Sequence, residues 1–318
     1  MINRQFDYEK KYQQLQDKMQ ELLNLSETMQ LDLSSEVDIL NSKMELIRED
    51  KYLNLTPWEK VLLSRHSERP TSRDYIETLC NEWIELHGDR YFGDDPAIIG
   101  GIAEFNGQAV TVIGHQKGKD TKDQLLHNFG MPNPEGYRKV QRLLLQAEKF
   151  KRPVIFFIDT PGAYPGIGAE ERGQAWAISQ VLMTLSAITV PIISIVIGEG
   201  GSGGALALGV ADRLLMLSNA VFSVASPEAC ASILWKDLDR VEEMASALKI
   251  TASDLLDLDI VDEIITEPTG GAHLNFATTA DIIKSSLQAH LTFLITQNPA
   301  VLVEQRYDKL RKIGTLSE

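Results

Sequence analysis

Apolar residues recur at helical spacing through the first fifty positions. Tyr12, Leu15, Met19 and Leu22 form one row, and Val37, Leu40, Met44 and Ile47 form another. Leu31-Asp32-Leu33-Ser34-Ser35 separates the rows, so the pattern predicts an N-terminal helical hairpin. Six basic and eleven acidic residues in this stretch make one face solvated; the other packs on its own domain or reaches another subunit. A third helix is expected from Thr71-Ser72, with Ile76, Leu79, Trp83 and Leu86 on one face. The period then becomes strand-like. Residues 98–105 and 108–114 flank Asn106-Gly107, the strongest two-residue hairpin signal in the chain. A helix over 136–150 follows, presenting Val140, Leu143, Leu144 and Ala147 to a core.

Downstream the chain alternates buried strand, glycine-rich loop and helix. An apolar run at 154–158 ends at Asp159, a loop covers 160–168, and a helix is expected to about 187. The unit repeats with a strand over 191–197, a loop over 198–204 and a short helix. Further strands are expected at 213–217 and 221–225. All-apolar strands alternating with helices predict an α/β fold whose sheet is covered on both faces. Sites in such folds gather where strands end at their C-termini, which places both glycine loops at the working edge. The most apolar stretch, 187–197, is broken by Thr189, Pro191 and Ser194 and falls short of the ~20 residues of a spanning helix. Residues 1–11 lack an apolar signal core. A soluble, cytoplasmic protein without membrane association is expected.

Composition narrows the choice of chemistry. The chain has 318 residues, 43% hydrophobic and 24% charged, as a folded globular protein does. Its net charge of −14 argues against nucleic-acid binding, which needs a basic face. Only Cys80 and Cys230 are present, so a four-thiolate zinc site and a disulfide scaffold are both excluded. Against this acidic background, residues 115–152 hold nine Lys or Arg against four acids. Lys117 and Lys119 directly follow a strand, which favours them as contacts to an anionic ligand or an acidic partner; solvated surface charge is the alternative.

The loop 198–204 satisfies several patterns at once. Gly198-x-Gly200-x-x-Gly203 matches the dinucleotide fingerprint, but Ser218 and Asn219 stand where a ribose-binding acid belongs. Gly200-x-Ser202-x-Gly204 matches the nucleophile elbow of serine hydrolases, with Asp254, Asp262, His273 and His290 downstream. Asp159-Thr160-Pro161-Gly162 resembles a nucleotide-switch loop, yet no upstream phosphate loop accompanies it, so a GTPase is rejected. The shared physics is firmer than any motif. A glycine turn entering a helix leaves backbone N–H groups unpaired beside the positive end of the helix dipole. Such donors stabilise negative charge growing on an oxygen, and one can be worth ~3 kcal/mol of barrier. Gly203 and Gly204 are assigned that role, while Gly200, Gly201 and Gly209 suit close packing of helix on strand.

Longer motifs carry a resemblance. They are Gly114-His115-Gln116-Lys117-Gly118, Asn128-Phe129-Gly130-Met131-Pro132, Pro134-Glu135-Gly136-Tyr137-Arg138-Lys139, Ile158-Asp159-Thr160-Pro161-Gly162-Ala163-Tyr164-Pro165-Gly166, Gly168-Ala169-Glu170-Glu171-Arg172-Gly173-Gln174, residues 198–206, and Ser226-Pro227-Glu228-Ala229-Cys230-Ala231-Ser232-Ile233-Leu234-Trp235-Lys236. Over essentially its whole length the chain resembles the carboxyltransferase alpha subunits of multisubunit bacterial and plastid acetyl-CoA carboxylase. The resemblance implies a crotonase-like (ClpP/crotonase) spiral of ββα units with an N-terminal helical arm over 1–55, a CoA carboxyltransferase domain over 56–295 and a helical tail over 296–318. It implies a beta subunit of similar fold in an α2β2 assembly, with zinc held only in that partner and no metal here. Carboxyl transfer from carboxybiotin, carried on the biotin carboxyl carrier protein, to acetyl-CoA would give malonyl-CoA for fatty acid biosynthesis. The resemblance also implies that biotin is not bound covalently by this chain and that a separate biotin carboxylase uses ATP and magnesium.

By the same resemblance, Gly203 and Gly204 cradle the biotin ureido oxygen. The biotin anion takes the acetyl proton, so no protein base is required, and the beta subunit holds the enolate. Gly162 and Ala163 form the opposite wall, lined by Tyr164, with Gly201 and Ser202 adjoining. Lys117, Lys119 and Arg172 are the remaining substrate-binding candidates, although Arg172 with Glu170-Glu171 suits helix-start charge equally well. Two other readings stay open, a serine hydrolase using Ser202 and a non-catalytic assembly subunit.

Overall fold

Asn106 and Gly107 both take left-handed backbone, with φ of 48° and 79°, and so make a turn whose twist matches its flanking strands. In the computed structural model, which describes residues 14–15, 17–24 and 34–314, this turn joins the first long hairpin of an eight-stranded sheet. The strands are β1 (Asn81–Glu85), β2 (Ile98–Phe105), β3 (Gln108–His115), β4 (Val154–Thr160), β5 (Ile192–Gly201), β6 (Arg213–Leu217), β7 (Val221–Ser223) and β8 (Glu263–Ile265). They lie in the order β1-β2-β3-β4-β5-β6-β8, with β7 also pairing β5. β1, β2 and β3 are antiparallel, and every later pairing is parallel. All seven residues of β4 and all ten of β5 are buried, as strands covered on both faces require.

From residue 34 on, the α-helices are α1 (Ser34–Leu53), α2 (Pro57–Ser64), α3 (Ser72–Leu79), α4 (Thr121–Leu126), α5 (Pro134–Phe150), α6 (Ile167–Glu171), α7 (Gln174–Ala187), α8 (Ser202–Gly209), α9 (Pro227–Cys230), α10 (Val241–Ala247), α11 (Ala252–Asp257), α12 (Phe276–Ile295) and α13 (Pro299–Lys312). Helices α5 and α8 pack on one face of the sheet, and α3 and α12 on the other. Val140, Leu143, Leu144 and Ala147 of α5 are fully buried, as their spacing predicts. On the opposite face the Tyr75 ring stacks on Phe157 at 5.8 Å and meets Phe276 edge-on at 5.3 Å. In the N-terminal segment Leu15, Met19, Leu22, Val37 and Leu40 are half-buried and Met44 is buried, each on a helix. Tyr12, residues 1–11 and the turn at 31–33 lie outside the described residues.

Four boundaries differ from the sequence reading. The helix from Ser72 ends at Leu79, because Cys80 turns to extended backbone (φ −116°, ψ 147°) and Trp83 lies in β1, paired with β2. The helix expected to reach 187 is two helices, broken where Gly173 takes φ 82°. β7 ends at Ser223. Finally, 198–204 is not a loop. β5 continues to Gly201 because its late residues pair with Thr160 on one side and with β7 on the other.

β5 changes neighbour along its length, pairing β6 through Val196 and β7 from Glu199. The carbonyl of Ile197, at the changeover, accepts from Arg69 Nη2 at 2.7 Å and Nε at 3.2 Å. Arg69 in turn forks onto buried Glu267 at 2.9 and 3.0 Å, so a backbone acceptor without a strand partner is satisfied by a paired side chain.

Candidate active site

The turn after β4 is tied by its own threonine. Buried Thr160 Oγ1 accepts from Gly162 N at 3.0 Å and donates to Gly162 O at 2.8 Å. Across from it β5 passes into α8 through Ser202, whose φ of 52° is left-handed. The two turns touch through backbone. A Cβ on Gly201 would stand 2.2 Å from Pro161 O, and one on Gly204 2.7 Å from both Ala163 N and Gly162 C. Gly162, Ala163, Gly201, Ser202, Gly203 and Gly204 therefore come together as one site. Gly203 has room, since a Cβ there would meet only Ile178 Cδ1, at 3.8 Å; Gly162 has comparable space, but its φ of 149° disfavours a side chain. No side chain caps α8, so its first-turn amides have no side-chain acceptor and lie at the positive end of the helix dipole.

The overlapping glycine patterns have a packing origin. A Cβ at Gly198 would come within 2.5 Å of Asp159 Oδ1, and one at Gly200 within 2.4 Å of Phe222 Cδ2. Gly198 and Gly200 let β5 lie against its neighbours, and Gly201 lets it meet the 161–163 turn. The hydrolase partners are engaged elsewhere. Asp254 closes a capping box with Thr251, Asp262 accepts from Leu214 N, His273 stacks on His66 at 4.3 Å, and His290 binds Glu263 at 2.6 Å.

Beneath the glycine turns runs a chain of charges. Lys117 Nζ lies 2.6 Å from Asp159 Oδ1 and 3.8 Å from Glu199 Oε2. Asp159 Oδ1 also accepts from Glu199 N at 3.0 Å. Arg65 then joins Glu199 at 2.8 Å to Glu228 at 2.5 Å. Burial opposes these charges, but the facing partners prevail, holding Glu228 below and Arg65 above the ordinary pKa. Lys119 is farther out, on Asp74 at 2.6 Å, beside a cavity of about 350 Å³ also lined by Arg69, His273 and Phe276.

Three more cations of the basic stretch hold neighbouring segments together. Arg138 holds Asp89 and Glu135, Lys139 holds Asp94, and Arg142 donates to the carbonyls of His87 and Gly88. Arg172 forks onto Glu135 at 2.7 and 3.1 Å and lies over the Phe92 ring at 4.7 Å. Glu135 apart, the carboxylates that pair with Lys117, Lys119, Arg138 and Lys139 come from 74–95 and 159, outside residues 115–152. Tyr164 is exposed beside the turn, and its carbonyl accepts from Gln174 Nε2, which also donates to Pro132 O.

The sequence reading missed Thr160, Gln174, Arg65, Glu199 and Glu228 as residues that shape the site. All but Arg65 lie within quoted motifs, but nothing in a linear sequence pairs Arg65 with acids 134 and 163 positions away. Among the described residues no cluster of three or more His, Cys, Asp or Glu is placed to hold a metal ion. No described helix is long and apolar enough to cross a membrane.

The family profile described as acetyl co-enzyme A carboxylase carboxyltransferase-like matches residues 5–314. A Syntrophomonas wolfei protein named acetyl-coenzyme A carboxylase carboxyl transferase subunit alpha is 70% identical over 314 residues, 99% of each chain. Its namesake from Halalkalibacterium halodurans is 52% identical over 99% of this chain and 97% of its own. Among solved structures, transcarboxylase 12S superposes with a TM-score of 0.57 at 22% identity, over 72% of this chain and 43% of the longer one. A Pseudomonas malonate decarboxylase hetero-tetramer matches with TM-score 0.57 at 16% identity, over 70% of this chain and 88% of its own. These structures share the crotonase-like fold expected from the sequence, and the profile, matching nearly end to end, places this chain in the acetyl-CoA carboxylase carboxyltransferase family as an alpha subunit.

Proposed function

We propose that this chain supplies the biotin-facing half of a carboxyltransferase site. With a zinc-ribbon beta subunit in an α2β2 assembly, it transfers the carboxyl group from carboxybiotin on the biotin carboxyl carrier protein to acetyl-CoA. The product is malonyl-CoA, the location cytoplasmic, and residues 1–55 and 296–318 are the arm and tail of a 56–295 catalytic domain. The observation that carries this reading is the uncapped start of α8, with Gly203 open and Gly204 packed on the 162–163 turn. Carboxybiotin, when bound, supplies the carboxyl group and takes up negative charge on its ureido oxygen as that group leaves. The Gly203 and Gly204 amides donate to that oxygen, and the Gly162-Ala163 turn forms the facing wall. Thr160 holds the wall, and Lys117-Asp159-Glu199-Arg65 holds the end of β5 beneath it. Lys117 and Lys119 act on charged ligands through the field they add, since each already faces a carboxylate.

A chain that supplies one half of a site is inactive alone. Purified by itself it should form no malonyl-CoA from acetyl-CoA and carboxybiotin, and mixing it with a beta subunit should restore transfer. Robust transfer by the single chain sinks the proposal.

Ser202 separates amide from hydroxyl chemistry. Ser202→Ala removes the hydroxyl and keeps every backbone donor, so turnover in the assembled enzyme should stay within about tenfold. A nucleophilic serine would lose several orders of magnitude on the same change. Steady-state kinetics of the variant decide it.

A further inference from the structure

His115 ends β3 with a fully enclosed ring, at 0% exposure, and neither Nδ1 nor Nε2 has a hydrogen-bond partner. Strand alternation puts it on the face of Ile113, which pairs with Phe156, and Phe156 pairs with Ser194. Ser194 Oγ donates to Leu208 O, so this is the face on which α8 lies. The ring faces the backbone of Gly204, which offers it an acceptor and opposes the fall in its pKa, although the geometry falls short of a full hydrogen bond. Burial first, then the positive charge of Lys117, push its pKa down to about 3, so the imidazole is neutral at working pH.

A neutral imidazole keeps one N–H donor and one acceptor, and burying both unpaired is unfavourable. An aromatic hydrocarbon would fill this space without that cost. Such local conflicts mark places where function overrides stability. Gly204 lies between this ring and the 162–163 turn, so its peptide has a neighbour on each side and little freedom to shift.

We propose that His115 is a positioning residue of the carboxyl-transfer site, its ring nitrogen facing the Gly204 backbone and setting how the neighbouring amides face the transferred group. This rests on the reading of Gly203 and Gly204 given above. The ring touches no substrate and moves no proton. It acts through Gly204, where a displacement of about 0.5 Å already degrades a preorganised donor.

The test uses His115→Phe and His115→Gln in the assembled alpha–beta enzyme. Phe keeps the volume and removes the ring nitrogens, so Tm should equal or exceed that of the unaltered chain. Turnover should nonetheless fall about tenfold or more, with KM for acetyl-CoA within about twofold. Gln, which keeps a donor and an acceptor, should recover part of the loss. Amide hydrogen exchange of a peptide covering 199–206 should quicken in the Phe variant. Unchanged turnover in folded variants, or a raised KM at unchanged kcat, overturns the proposal. If His115→Phe fails to fold, His115→Gln carries the same readouts. Absence of transfer by the unaltered complex would instead refute the function on which the proposal stands.

Discussion

Gly204→Val is expected to slow carboxyl transfer by the assembled enzyme ~10²-fold or more, while the chain still folds and still binds its beta subunit. The first atom of a side chain at 204 would stand 2.7 Å from Ala163 N and from Gly162 C, both of them backbone. No flexible side chain can yield there, so one wall of the site must move, and a β-branched residue makes the displacement larger. The contrast is Gly203→Ala, where the added methyl meets only Ile178 Cδ1 at 3.8 Å. That variant should fold normally and lose turnover only through the space it removes from the ligand. Circular dichroism and co-purification of the beta subunit come first, then malonyl-CoA formation. A well-folded, fully active Gly204→Val would leave the chain a non-catalytic assembly subunit.

The same residues show what the sequence could tell. The hairpin at Asn106-Gly107 is legible because its chemistry is local, and β4 is legible because a strand buried on both faces is apolar throughout. The glycine pair is singled out by the physics of a helix start. The extension of β5 to Gly201 could not be read, because it depends on Thr160 and β7 pairing with it across the sheet. The basic stretch misled for a related reason. Counting charges between 115 and 152 omits Asp74, Asp89, Asp94 and Asp159, which pair with Lys119, Arg138, Lys139 and Lys117. Charge in a sequence window is not charge in space, and a buried pair leaves no local signature. Trp83 fits a helical row by spacing and lies in a strand because the edge of β2 needs a partner.

Arg306→Ala should be the most destabilising single change in the C-terminal helices, at about 3–5 kcal/mol. Arg306 is 1% exposed. Its guanidinium donates to Asp212 Oδ1 at 2.9 Å and Oδ2 at 3.0 Å, and to the carbonyls of Leu185 at 2.5 Å, Ile188 at 2.9 Å and Val190 at 3.3 Å. One side chain thus ties α13 to the end of α7 and the start of β5, the strand that carries the glycines. Alanine strands three carbonyls and leaves the Asp212 carboxylate buried with the backbone donor Ile192 N, at 2.7 Å, in place of a charged partner. An uncompensated buried charge costs far more than the pair contributes when intact. Arg306→Met with Asp212→Asn should therefore recover a large part of the loss, since it removes the charge and keeps an acceptor for Ile192 N. In a chain of this size each kcal/mol moves Tm by ~2 °C, so the single variant should melt roughly 6–10 °C lower. Calorimetry of both variants decides it. A single alanine change within 2 °C of the unaltered chain would mean that solvent or a shifted α13 satisfies these carbonyls, and that the C-terminal helix does not anchor β5.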